Sequence, residues 1–105
     1  MNVRKTDEFI LDIERQYEWY SSHAGWSVAD RYLSAVEATC TLLGHQPLLG
    51  PVVAFKHPRL SGWRFFVVLR PFHRHILFYE LVSDALVMRR AMHGHRNLQL
   101  RLTES

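Results

Sequence analysis

Three runs rich in aromatic and aliphatic residues, Trp63–Leu69, His75–Val82 and Ala85–His93, follow one another with only short segments around Pro71–Phe72–His73 and at Ser83–Asp84 between them. Runs of this composition read as strands. A parallel connection needs about a dozen residues or more of crossover, so connections this short force antiparallel neighbours. The second half of the chain is therefore expected to form a three-stranded β-meander. No other feature of the sequence restricts the fold as strongly.

Upstream the period changes. Phe9, Ile13, Tyr17 and Tyr20 recur at helical spacing, with Ile10 widening the stripe. Thr6 or Asp7 can cap this helix, and Asp7, Glu8 and Asp12 suit the positive end of its dipole. Ser21, Ser22 and Gly25 end it. A second apolar seam runs through Ala29, Leu33, Val36, Cys40 and Leu43. Ser27 is the expected N-cap, with Asp30 completing an approximate capping box, and Gly44 and Pro47 mark the stop. The two helices should pair as an antiparallel hairpin. Residues 48–62 hold Gly50, Pro51, Pro58 and Gly62 and read as a long loop, with one extended stretch near Val52–Phe55. Asn2–Arg4 is a possible first strand. The expected class is α+β, a helical hairpin on an antiparallel sheet, in a single domain over 1–105. Its parts are the hairpin at about 7–45, the loop at 46–62, the meander at 63–93 and a tail at 94–105.

At 48% hydrophobic the chain is too apolar for a disordered one, and no apolar run reaches membrane-spanning length. Residues following Met1 form no signal-peptide apolar region, and the single Cys40 fits a reducing cytoplasm rather than a disulfide framework. The net charge of +3 conceals an asymmetry. Residues 1–50 carry four Lys/Arg against seven Asp/Glu, whereas residues 51–105 carry nine against three, eight of the nine being arginine. Five of the seven histidines lie in that second half.

Two helices cover one face of a small sheet, so the other face should turn polar. Here both faces of the runs are apolar. Trp63, Phe65, Val67 and Leu69 alternate with Arg64, Phe66, Val68 and Arg70, and Leu77, Tyr79 and Leu81 alternate with Ile76, Phe78 and Val82. Either the second face is an open docking surface, or the long loop and Leu98, Leu100 and Leu102 fold back over it. Arginines beside apolar strand positions suit an acidic protein partner, through paired carboxylate contacts, better than a solvated face.

Several stretches together resemble the RelE/ParE superfamily of bacterial toxin–antitoxin toxins, the ParE branch in particular. They are Asp12–Ile13 to Tyr20, Ala29–Asp30–Arg31–Tyr32–Leu33, Gln46–Pro47–Leu48–Leu49–Gly50, Leu60–Ser61–Gly62–Trp63–Arg64, His75–Ile76–Leu77–Phe78–Tyr79 and Arg90–Ala91–Met92–His93–Gly94–His95–Arg96–Asn97–Leu98. Their order and spacing cover about residues 8–98. In the last, His95 stands where the ParE pattern has a small residue and Asn97 where it has aspartate. The resemblance implies a β-α-α-β-β-β toxin and a cognate antitoxin whose acidic, partly disordered C-terminal segment wraps it in a hetero-oligomer. It implies DNA gyrase as the target, bound rather than chemically altered, with no cofactor and no membrane association. RelE-like members instead cleave mRNA in the ribosome, and a degenerate member would retain antitoxin binding alone.

A metal-independent nuclease would draw on Arg64 and Arg89 for phosphate, His93 for proton transfer and Tyr79 for stacking, although the lysine-rich patch of that branch is missing. A partner-binding surface would draw on Arg64, Arg70, Arg74, Phe66, Val68, Arg89, Arg90 and Arg96. His93 has a second reading, tying the last strand to the helices, and Gly94 supplies a backbone turn. His73, His75, His93 and His95 lack the cysteines of a structural zinc site, so no metal is expected. Cys40 reads as a small core residue, and Trp19 and Trp26 as core or interface packing.

Overall fold

In the computed structural model, which describes residues 1–94 and 97–104, the meander forms where the short connections require it. The chain runs through β1 (Asn2–Lys5), α1 (Asp7–Ala24), α2 (Trp26–His45), a 3-10 turn (Pro58–Leu60), β2 (Arg64–Val67), β3 (His75–Val82), β4 (Ala85–His93) and α3 (Leu98–Thr103). β3 and β4 span the residues expected of them. β2 is shorter than the run Trp63–Leu69, because the chain leaves the ladder after Val68 and turns through Leu69–Phe72.

The sheet order is β1-β4-β3-β2. The meander is antiparallel, but β1 lies parallel to β4, with Val3 opposite Leu86, so the sheet is mixed rather than antiparallel throughout. A four-residue strand carries no signal of its partner; its position follows from Val3 packing against the main core and Thr6 N donating to Met88 O at 3.1 Å. Between β3 and β4 the register shifts, Phe78 facing Arg90 and Tyr79 facing Met88, which leaves Arg89 as an extra residue. Such a bulge re-aims the side chains beside it.

Thr6 caps α1 as expected: its Oγ1 accepts from Phe9 N at 3.1 Å and donates to Arg89 O at 3.0 Å. The start of α2 differs. Gly25 alone joins the helices, at φ +92, a conformation glycine adopts without a Cβ penalty, and α2 begins at Trp26 so that Ser27 lies inside it. Gly44 is likewise inside α2 and not beyond it. A Cβ there would lie 2.9 Å from Val3 Cγ2, so the glycine makes room for β1 crossing the helix.

Two cores result. Phe9, Ile13, Tyr32, Val36, Cys40 and Leu43 of the hairpin meet Val68, Leu77, Tyr79, Leu86 and Met88 of the sheet. On the opposite face Val53, Leu60, Ile76, Phe78, Met92 and Leu102 form a second cluster, joined by Phe55, Trp63, Phe65 and Leu98. The second sheet face is thus not an open docking surface over this area: the loop and α3 fold back onto it. Gln99 Oε1 fastens the two covers together, accepting from Lys56 N at 2.8 Å and His57 N at 3.1 Å. Leu100 takes no part and stays exposed. Each large side chain buried here contributes about 1.5–3 kcal/mol. Cys40 is a core residue, and burial pushes its thiol up to about 11. Trp19 and Trp26, by contrast, are 52% and 69% exposed and are not core.

Candidate functional site

The arginines singled out in the sequence divide into those occupied within the fold and those on its surface. Arg64 Nη1 donates to Gly50 O at 2.7 Å. The other side of Gly50 is held by Tyr79, whose hydroxyl accepts from Gly50 N at 2.9 Å and donates to Pro47 O at 2.8 Å. A side chain at Gly50 would collide with Phe65 O and come within 2.7 Å of the Tyr79 hydroxyl. Tyr79 is fully buried, and burial raises its pKa, so it pins the loop after α2 and offers no ring to a base. Tyr79→Phe should therefore cost about 2 kcal/mol by orphaning a buried amide and carbonyl. A denaturant melt checks this, and an unchanged midpoint would contradict it.

Arg89 binds Glu80 Oε1 through Nη2 at 2.6 Å and Nε at 3.0 Å, a partly exposed pair. Arg90 makes the more buried pair, Nε to Asp12 Oδ2 at 2.7 Å and Nη2 to Asp12 Oδ1 at 3.1 Å. Asp12 Oδ2 also accepts from Ala91 N at 2.9 Å, and its hydrogen bond raises the Arg90 pKa. One carboxylate thus ties α1 to the strand just after the bulge. Asp12 was legible only as a helix-start acid, since its partner is 78 residues away in the chain.

Arg70 and Arg74 stand exposed on the β2–β3 turn with His73. Phe66 is half-buried against the hairpin core and Val68 is fully buried within it, so Val68 presents no surface to a partner. Arg96, with His95, lies outside the described residues. His93 is exposed at the end of β4 and pairs in register with His75, their rings 4.7 Å apart. His75 itself is buried, with Nε2 2.8 Å from the Tyr20 hydroxyl, and burial beside His93 lowers its pKa to about 4. Gly94 has φ +84, as a turn after the strand requires, and it is Arg101, donating to His93 O at 3.0 Å, that ties the strand end to α3.

The four nuclease candidates are not brought to one place. Arg64 and Tyr79 share a register pair at Gly50, whereas His93 lies opposite His75, four residues or roughly 13 Å along β3. Among the described residues no three His, Cys, Asp or Glu side chains are placed to hold a metal ion. Surface apolar groups lie elsewhere. Val52, Val67 and Leu69 are exposed along the β2 edge, beside a cleft of about 300 Å³ lined by Phe55, Phe65, Val67, Phe78 and Leu98. Alternation along the Trp63–Leu69 run pointed instead to Phe66 and Val68 on the other face, and the cleft at Val67 needs the loop and α3 as walls. A further groove between α1 and α2 is lined by Ile13, Tyr17, Trp26 and Leu33, with Glu14 and Glu18 on its border.

The family model described as ParE toxin of type II toxin-antitoxin system, parDE, matches residues 3–98. Among solved structures, a chain of the chromosomal ParDE TA system from P. aeruginosa superposes with a TM-score of 0.74 at 15% identity, covering 90% of this chain and 97% of that one. At that identity the likeness concerns the fold. No curated protein matches.

Proposed function

The chain belongs to the ParE toxin family of type II toxin–antitoxin systems, and from that premise we propose that it arrests growth by binding DNA gyrase and is held inactive by a cognate antitoxin. The observation that carries the binding reading over ribosome-dependent mRNA cleavage is where the candidate catalytic groups are occupied. Arg64 serves Gly50, Arg89 serves Glu80, and Tyr79 is buried between Gly50 and Pro47. A phosphoryl-transfer site needs cationic groups and a proton-transfer group converging on one phosphate.

The acidic antitoxin segment is proposed to lie along the β2 edge. Val67 and Leu69 supply the apolar contacts there, and Arg70 and Arg74 the carboxylate partners, a combination of hydrophobic and guanidinium anchors that favours tight protein contacts. Among the described residues no helix is long and apolar enough to cross a membrane. Gyrase as target places the action of the protein in the cytoplasm.

Expression of the chain alone should stop growth and induce a DNA-damage response, with relief on co-expression of the antitoxin encoded beside it. Val67→Glu should weaken antitoxin capture by about tenfold or more, because it sets a like charge against an acidic segment at an apolar contact. Codon-positioned cleavage of ribosome-bound mRNA with intact DNA would replace this reading by the RelE-like one. Unchanged growth under strong induction of a folded product would replace it by the degenerate, antitoxin-binding one.

A further inference from the structure

The trough along the helical hairpin takes no part in the function proposed above, and we propose that it docks a cationic amphipathic helix of a partner protein. Two hollows of about 660 Å³ and about 310 Å³ make it up. They share Ile13, Glu14 and Leu33, so the trough is continuous from Ser22, near the Gly25 link, to Lys5 at the end of β1. From Phe9 to Ser22 its α1 wall measures roughly 20 Å, the length of a helix of about 13 residues. β1 and β2 are opposite edges of the sheet, so the trough and the surface proposed for the antitoxin lie at different edges.

The trough is apolar along its length. Ile10, Leu33 and Trp26 are 41%, 37% and 69% exposed, and all three line it rather than scatter over the surface. Trp26 is the principal anchor. The Tyr17 ring meets it with centroids 6.2 Å apart, and the Tyr17 hydroxyl donates to Asp30 Oδ1 at 2.7 Å. An exposed indole braced by a fixed neighbour offers a large contact area with little freedom left to lose. Apolar walls supplied by two packed helices suit the i, i+3, i+4 and i+7 side chains of a third.

The rim decides which helix. Glu14 and Glu18 border the trough from α1, and Asp30, through its bond to Tyr17, adds a carboxylate from α2. Lys5 is the only cation among the lining residues, and Glu37 engages it at 2.7 Å. Among the described residues no ion pair reaches Glu14 or Glu18. These two stand four residues apart on one helix, a spacing at which like charges repel. A cation placed between them relieves that repulsion. An acidic segment, an anionic membrane surface or the same trough of a second copy would set like charge against like. A helix with an apolar stripe flanked by lysine or arginine meets both the floor and the rim.

The test uses the full chain, ¹⁵N-labelled, and follows the Trp26 indole N–H resonance, assigned with Trp26→Phe. The probes are end-capped helical peptides of about 14 residues, matched to the trough in length. One carries a leucine stripe at helical spacing with lysine flanks, one the same stripe with glutamate flanks, and one the lysine composition with the stripe scrambled. The lysine-flanked peptide should shift the resonance saturably, with the other two about tenfold weaker or worse. Leu33→Ser should weaken its binding about tenfold. The position is exposed on α2, so the variant should fold; Leu33→Ala is the milder replacement if a melt shows otherwise. Glu14→Lys combined with Glu18→Lys should reverse the preference, the glutamate-flanked peptide then binding more tightly. The proposal is overturned by an unmoved Trp26 resonance at lysine-flanked peptide on the order of 1 mM, or by equal binding of the scrambled peptide. Parental affinity in the Leu33 variants, or an unreversed preference in the double variant, overturns it as well. Light scattering distinguishes the remaining occupant: a chain that stays monomeric supports a foreign helix, whereas self-association lost in Trp26→Ala assigns the trough to a second copy and overturns the proposal.

Discussion

Asp12→Ala is expected to destabilise the fold by about 3–4 kcal/mol, because it strands a largely buried guanidinium. The Asp12 side chain is 10% exposed and that of Arg90 21%, so water replaces little of what is lost. The Ala91 amide loses its acceptor in the same step. In a domain of this size the loss corresponds to a fall in Tm on the order of 15 °C. The pair also makes a sharper prediction. Asp12→Ala combined with Arg90→Met should be less destabilised than Asp12→Ala alone, since the second change removes the unpaired charge. A double variant no better than the single one would show that the ion pair is not what Asp12 contributes.

The second large effect is one of pH. His75 is 3% exposed, surrounded by Tyr20, Tyr32, Phe72 and His93. Burial, then the neighbouring His93, lowers its pKa from 6.5 to about 4. The unfolded chain binds a proton as pH falls through 6.5, whereas the folded chain does so only near 4. Stability is therefore complete above pH 6.5 and declines between 6.5 and 4, by about 3 kcal/mol in total. Chemical denaturation at several pH values measures this slope. His75→Phe should flatten it over that window whatever it does to stability at neutral pH; an unchanged slope would assign the acid sensitivity to other groups.

Both effects concern contacts across the chain, and this is where the sequence was least informative. The strands β3 and β4 could be bounded to the residue, because the two-residue turn Ser83–Asp84 leaves no freedom in pairing. The hairpin was also legible from its apolar periods, although Leu33 of the second seam proved exposed and Tyr32 beside it buried. Local chemistry misled where tertiary contact overrode it. Ser27 and Gly44 have the character of helix ends, yet a one-residue link at Gly25 moved the first boundary and the crossing of Val3 explains the second glycine.

At the candidate site the residue types were readable but their employment was not. Eight arginines in the second half suggested one surface of charged and apolar anchors for an acidic partner. The bulge at Arg89 instead gave Arg89 and Arg90 separate carboxylate partners on separate elements, and Gly50 drew Arg64 into the loop. A register shift and a loop approach have no sequence period. Arg70 and Arg74 retained the exposed role expected of them because a turn has nowhere to bury them. The surface proposed for the antitoxin is accordingly the β2 edge with its turn, not the whole sheet face.

Binding of DNA gyrase is the central claim, and a supercoiling assay with purified components tests it most directly. Added in excess over gyrase, the folded chain should block supercoiling and accumulate cleaved DNA, and prior mixing with its cognate antitoxin should abolish both effects. Undiminished supercoiling by gyrase, with codon-positioned cuts appearing in ribosome-bound mRNA in a parallel primer-extension experiment, would contradict the claim.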